Sequence, residues 1–174
     1  MDVFTRKECK DIIIRSLDFC IQNKGLVINA FVLMSNHLHL IARAEEDSQG
    51  LSNIIRDFKR HTSKEIINWV LDDKKESRKK WMEIVMKYHA KFNKNNNDYQ
   101  LWIQNNKPME CNKPRFTWQK ISYIHDNPIK AKIVDHPEDY IYSSARNYLG
   151  RKDVVLDIVC LDLDINIGYV DVQS

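Results

Sequence analysis

In LVINAFVLMSNHLHLIARA, Leu26 to Ala44, an apolar run rich in β-branched residues breaks at Ser35-Asn36 and resumes with two histidines one residue apart. The first half, Leu26 to Met34, is too short for a typical helix and is followed by a turn signal, so it reads as a strand. His37 to Arg43 reads as its antiparallel partner in a hairpin. Side chains alternate along a strand, which puts His37, His39 and Ile41 on one face and Leu38, Leu40 and Ala42 on the other.

The flanks supply helices. Thr5-Arg6-Lys7-Glu8 matches the S/T-x-x-E capping box, and Ile13, Leu17, Cys20 and Ile21 continue as an apolar stripe up to Gly25, predicting a helix over 5–24. Leu51, Ile55, Phe58, Thr62, Ile66 and Trp69 recur every three or four residues and predict a second over 48–70, with Arg56, Lys59, Arg60 and Lys64 on its remaining surface. The stretch 72–98 is charged and Asn-rich. It is expected to hold a helix from Trp81 to Phe92 and then to loosen into a flexible loop at NKNNND. A short strand over Tyr99–Gln104, a helix over Phe116–His125 stopped near Asn127 by Pro128, a helical turn after Pro137 and a late strand over Val154–Leu163 complete the expectation.

The 174 residues, 43% of them hydrophobic, suffice for one domain with a real core and give no evident second one. No apolar run approaches the ~20 residues of a membrane span, and the opening MDVFTRKECK has no signal-peptide core, so a soluble cytoplasmic chain is expected. Its four cysteines lack C-x-x-C spacing, which favours a reducing compartment. Net charge is only +3, but residues 56–94 carry 12 Lys/Arg against 6 Asp/Glu, while 151–174 carry 2 against 5. The middle of the chain could face a polyanion, although a charge run is more often a solvated helix surface.

Histidines at i and i+2 on a strand can converge on one divalent metal, yet a bare H-x-H is more often a pair of satisfied polar residues at a sheet edge. A second segment adds weight. In WQKISYIHDNPIKAK, Trp118 to Lys132, Tyr123 and Asn127 stand at i and i+4 on one helix face, with Gln119, Lys120 and Lys130 on or near the same polar side.

Taken together, SNHLHL resembles the histidine-hydrophobe-histidine motif of HUH endonucleases. YIHDNPIKAKIVDHPEDYIYSSA is similar to the signature of REP-associated tyrosine transposases, the single-tyrosine family, and FKRHTS fits the same style. The resemblance runs from about Asp2 to Leu163 and implies an α+β, ferredoxin-like antiparallel sheet with packed helices. It implies one HUH domain over 1–174, with a basic, Asn-rich insertion at about 72–98. It implies Tyr123 as nucleophile, His37, His39 and Asn127 as ligands of Mg²⁺ or Mn²⁺, and single-stranded DNA with imperfect palindromes as substrate. The enzyme would act as a monomer or homodimer, cutting DNA through a 5′-phosphotyrosine and a free 3′-OH. Arg56, Lys59, Arg60, Lys120 and Lys130 are the candidate DNA-binding cations.

The residue types suit that chemistry. A divalent metal neutralises a phosphodiester and polarises its phosphorus. A tyrosine oxygen that stays attached stores the bond energy for rejoining. The free phenol ionises near pH ~10, so its proton needs an acceptor. Two features depart from the family pattern. The first strand expected before the first helix is missing, which should leave its neighbour with unpaired backbone groups unless the late strand replaces it. Asn127 is a weak third ligand. The competing expectations are a truncated, non-catalytic DNA-binding remnant and a phosphoesterase that uses the histidines without the tyrosine.

Overall fold

A computed structural model describes residues 1–72, 77–92, 98–103 and 108–162. Its centre is the hairpin: β1 (Leu26–Leu33) is buried along its whole length and pairs antiparallel with β2 (Leu38–Ala44), from Leu26 opposite Ala44 to Leu33 opposite Leu38. The pairing slips by one residue between Ile28 and Ala30, a bulge that leaves Asn29 unpaired with β2. The chain is thus α+β, with helices laid on both faces of a small antiparallel sheet.

Helix α1 (Lys7–Lys24) buries Cys9, Ile13, Leu17 and Cys20, and α2 (Leu51–Asp72) buries Ile54, Phe58, Thr62, Ile66 and Val70. The two pack on each other and cover the sheet face that carries Leu38 and Leu40. Lys24 joins them through a 3.0 Å ion pair with Asp57. Helix α3 (Lys79–Ala90) rests on α2 through Met82 and Met86. Helix α4 (Pro114–Lys130) packs on β1 from the histidine face, burying Ile121, Ile124 and Pro128. A short α5 (Ala145–Tyr148) follows.

Local chemistry explains most boundaries. Gly25 ends α1 in the left-handed region at φ 68°, donating its N–H to Cys20 O, and its missing side chain leaves room for Ser48 Cβ, which a Cβ here would meet at 3.0 Å. The capping box does not form. Residues Val3–Thr5 make a 3₁₀ turn, Arg6 becomes the N-cap, and Thr5 Oγ1 instead accepts from Arg78 Nη2 at 2.7 Å.

Helix α4 does not stop at Asn127, because the group Pro128 cannot supply is replaced locally. A residue here would donate its N–H to Ile124 O. Instead Asn127 Nδ2 folds back, 2.7 Å from Tyr123 O and 3.5 Å from Ile124 O, and the helix continues to Lys130. Residues 99–103 are not a strand either. The indole of Trp102 bonds Thr62 Oγ1 (2.9 Å) and lies against Phe4 and Phe58, so burial of an aromatic on α2 fixes this segment. Gln104 and the asparagines at 93–97 lie outside the described residues.

The outer edge of β1 is paired without a third strand. Leu33 N donates to Tyr142 O (2.9 Å) and Leu33 O accepts from Tyr140 Oη (2.8 Å). Phe31 N donates to Ser144 Oγ (2.9 Å) while Ser144 N donates to Phe31 O (3.0 Å). Tyr148 Oη caps Asn29 O at 2.9 Å, and Val159 N reaches Ile28 O at 3.0 Å. The expected late strand over Val154–Leu163 is therefore not a strand in its described part, 154–162; Val159 alone makes this backbone contact, helped by Asn29 Nδ2 to Val159 O (2.8 Å). No strand precedes α1 among the described residues, yet the sheet is not broken: hydroxyls, single amides and the Tyr142 carbonyl within residues 140–159 satisfy the groups that would otherwise be buried unpaired.

No helix among the described residues is long and apolar enough to cross a membrane, and none of the four cysteines forms a disulfide.

Candidate active site

β2 and α4 bring the two sequence motifs together. The rings of His37 and His39 lie edge to face with centroids 4.8 Å apart, and the His39 ring meets the Tyr123 ring at 5.7 Å, again edge to face. Strand pleating puts both imidazoles on the face that α4 covers, and one side of α4 presents Tyr123 to them. Tyr123 remains 46% exposed, so its hydroxyl is open to a large substrate.

The charges around the phenol are positive. Lys130 Nζ sits 4.7 Å from the centre of the Tyr123 ring and Lys120 Nζ 6.0 Å, the latter also over Phe116 at 5.1 Å. Two ammonium groups this close to an exposed tyrosine form a pocket of positive charge suited to a phosphate. Burial, with help from His37 and Lys120, holds His39 below the ordinary imidazole range. A neutral imidazole keeps a lone pair for a metal.

Asn36, which sequence reasoning passed over, orients His37. Its Oδ1 lies 2.6 Å from His37 Nδ1. An amide oxygen only accepts, so Nδ1 carries the proton and Nε2 is left with the lone pair, the arrangement that outer partners impose on metal-binding histidines. Its signal was its place, directly before the first histidine in the turn. The fold-back of Asn127 has a parallel effect: with Nδ2 spent on Tyr123 O, Oδ1 is the atom left for a ligand.

Among the described residues no group of three or more His, Cys, Asp or Glu is placed to hold a metal. The available donors are two imidazoles and one neutral amide oxygen. These are donor types that suit a divalent cation held weakly.

His125 anchors the helix behind Tyr123. Its Nε2 lies 2.8 Å from Ser144 Oγ, the hydroxyl that also seals β1, and its ring packs on Tyr148 at 5.3 Å. Burial pushes its pKa down to about 4. The neutral ring therefore ties α4 to the sheet edge that also holds the hairpin.

The remaining candidate cations lie elsewhere. Arg56, Lys59 and Arg60 belong to α2, on the other side of the sheet from Tyr123, and line an open groove of about 750 Å³ with Tyr99 and Trp102. Arg56 and Arg60 each approach Asp57 at 3.5 Å, and Lys59 Nζ donates to Ile103 O (3.1 Å). The structure thus gathers Lys120 and Lys130 at the phenol and leaves these three in a separate basic groove.

The family model for IS200-like transposases matches residues 1–86, the half that contains the hairpin and both histidines. Over these residues the chain is similar to the IS200-like transposases. The match ends before Tyr123, so the reading of that tyrosine rests on the geometry above. A solved REP-associated tyrosine transposase bound to a REP hairpin is similar at 19% identity and a TM-score of 0.45, over 92% of this chain and 79% of that one. No curated protein matches the chain.

Proposed function

We propose that the chain is a metal-dependent single-strand DNA endonuclease and strand transferase in which Tyr123 is the nucleophile. The observation that carries the reading is the convergence on one open surface of His37, His39 and Tyr123, from two distant segments, with two lysines around the phenol. A structural tyrosine has no need of that company.

In the proposed reaction Tyr123 Oη attacks the phosphorus of a DNA phosphodiester. The Oη–P bond forms as the P–O3′ bond breaks; the phenol gives up its proton and the departing 3′ oxygen takes one up, leaving a 5′-phosphotyrosine and a free 3′-OH. Attack by the 3′-OH of another strand reverses the step and joins the ends without an energy source. Lys120 and Lys130 hold the phosphate against the phenol and offset charge that builds up in the transition state. His37, His39 and Asn127 Oδ1 would hold Mg²⁺ or Mn²⁺. When bound, that ion supplies charge neutralisation and polarisation at phosphorus. The substrate proposed is single-stranded DNA carrying imperfect palindromes that fold into hairpins, as in the REP hairpin bound by the similar solved protein.

The test is a covalent-adduct assay with end-labelled single-stranded DNA from the gene's own flanks, Mn²⁺ or Mg²⁺ and denaturing gels. The wild type should give a metal-dependent adduct, and Tyr123→Phe should give none while keeping its DNA affinity. An adduct that survives in Tyr123→Phe rejects this nucleophile.

A further inference from the structure

Helix α3 buries only one side. Met82, Met86 and Ala90 face inward, and Gln100 N donates to Met86 O at 3.1 Å behind them. The outward side carries Trp81 (51% exposed), Ile84 (67%) and Tyr88 (57%), followed in the next turn by Phe92 (74%). Globular surfaces scatter such residues singly, whereas a contiguous row marks a contact site.

The row has a defined geometry. At about 100° per residue, Trp81 and Tyr88 fall within roughly 20° of one another around the helix axis, and Phe92 follows two residues past the end of α3. With a rise of 1.5 Å per residue the first two are spaced ~10 Å along it. The Tyr88 and Phe92 rings already touch edge to face at 5.0 Å. Lys80, Lys87 and Lys91 run as a second row about a quarter-turn away on the same exposed side. Residues 79–92 hold four lysines and one acid, Glu83, which pairs with Lys87 at 2.7 Å.

That charge selects the occupant. A second copy docked on the same face would bring two strongly basic helices together with one glutamate each. A single-stranded polynucleotide instead offers planar bases to the aromatic row and phosphates to the lysine row, the combination by which non-specific single-strand binders work. We infer that α3 is an accessory, sequence-tolerant binding face for single-stranded DNA, separate from the Tyr123 site. The inference deepens the proposed function and rests on it for the identity of the ligand. Because α3 sits on α2, across the sheet from α4, a strand gripped there leaves the phenol uncovered for the segment to be cut.

The probe is a long labelled oligothymidylate, followed by fluorescence anisotropy at several salt concentrations, with circular dichroism to check folding. Replacing Trp81, Tyr88 and Phe92 with alanine should weaken binding, by roughly 5- to 150-fold for each ring that stacks a base. Lys80→Ala and Lys91→Ala should each lower the slope of log affinity against log salt by about 0.7. Unchanged affinity in the folded triple variant overturns the inference. So does a wild-type dimer in sedimentation that the triple variant turns into monomer, since the row would then be a self-interface. Wild-type binding that depends on α3 but gives no covalent adduct would count against the proposed cleavage reaction and leave this face standing.

Discussion

Replacing Asn127 with aspartate separates two jobs that one side chain performs. The amide donates across the gap left by Pro128, and its oxygen is the proposed third metal donor. Aspartate keeps the shape, makes the ligand anionic and removes the donor. A carboxylate oxygen would then face Tyr123 O, now 2.7 Å from Nδ2, and Ile124 O at 3.5 Å. A lost bond with acceptors left opposed costs about 1–3 kcal/mol. A negative charge in the last turn of α4 adds about 0.3–1 kcal/mol, and attraction to Lys130 three residues on returns about 0.2–0.5 kcal/mol. The net is near 2 kcal/mol, which for a chain of this length lowers the Tm by about 4–8 °C.

The assay is thermal unfolding with a chelator and then with increasing Mn²⁺. Without metal, Asn127→Asp should melt well below the wild type. With Mn²⁺ it should recover more than the wild type does, because tighter binding to the folded state stabilises in proportion to the logarithm of occupancy. A variant that melts within a degree of the wild type in chelator would refute the helix-bridging role. An equal response of both proteins to Mn²⁺ would remove Asn127 from the ligand set.

Two further outcomes follow from the sealed edge of β1. Ser144→Ala leaves Phe31 N without its partner in a fully buried position, so stability should fall by about 1–3 kcal/mol. Hydrogen exchange should show the Phe31 amide losing protection while β2 amides paired inside the hairpin keep theirs, and a still-protected Phe31 would contradict this role of Ser144. Burial also raises the Tyr140 phenol to about 12. Its folded pKa lies above the ordinary value near 10, so its neutral form contributes stability fully below pH ~10, and that stability is lost as pH climbs towards 12. Tyr140→Phe should therefore flatten the stability loss between those pH values, and an alkaline unfolding curve with the wild-type slope would count against this residue as its source.

The hairpin and its facing pattern were legible because a period of two, a turn signal and β-branched residues agree over Leu26–Ala44. The meeting of His39 with Tyr123 was not a matter of spacing at all: 84 positions separate them, and only the resemblance of both motifs to one family placed them in one site. The misread elements share a cause. Thr5 and Glu8 have the right identities for a capping box, but Arg78 from beyond α2 takes the hydroxyl. Pro128 has the right identity for a helix stop, yet its neighbour supplies the missing donor. Residues 99–103 and 154–162 are apolar enough for strands, but tertiary partners fix the first through Trp102 and the second through contacts such as that of Val159 with β1. In each case a local rule lost to a contact distant in sequence or to a side chain it does not consider.

The closing of β1 also has a history during synthesis. Phe31 finds its outer partner at Ser144, 113 residues later, and Leu33 waits for Tyr140, 107 residues on. At ~5–20 residues per second, the ribosome needs roughly 5 to 23 s to deliver them. Throughout that interval the hairpin can form locally while its apolar strand shows an open row of amides and carbonyls to any neighbouring nascent chain. The yield of native protein is thereby tied to translation speed between residues 34 and 144. Slow codons or stalls in that span should divert chains to aggregates, and the same delays placed after residue 162 should not.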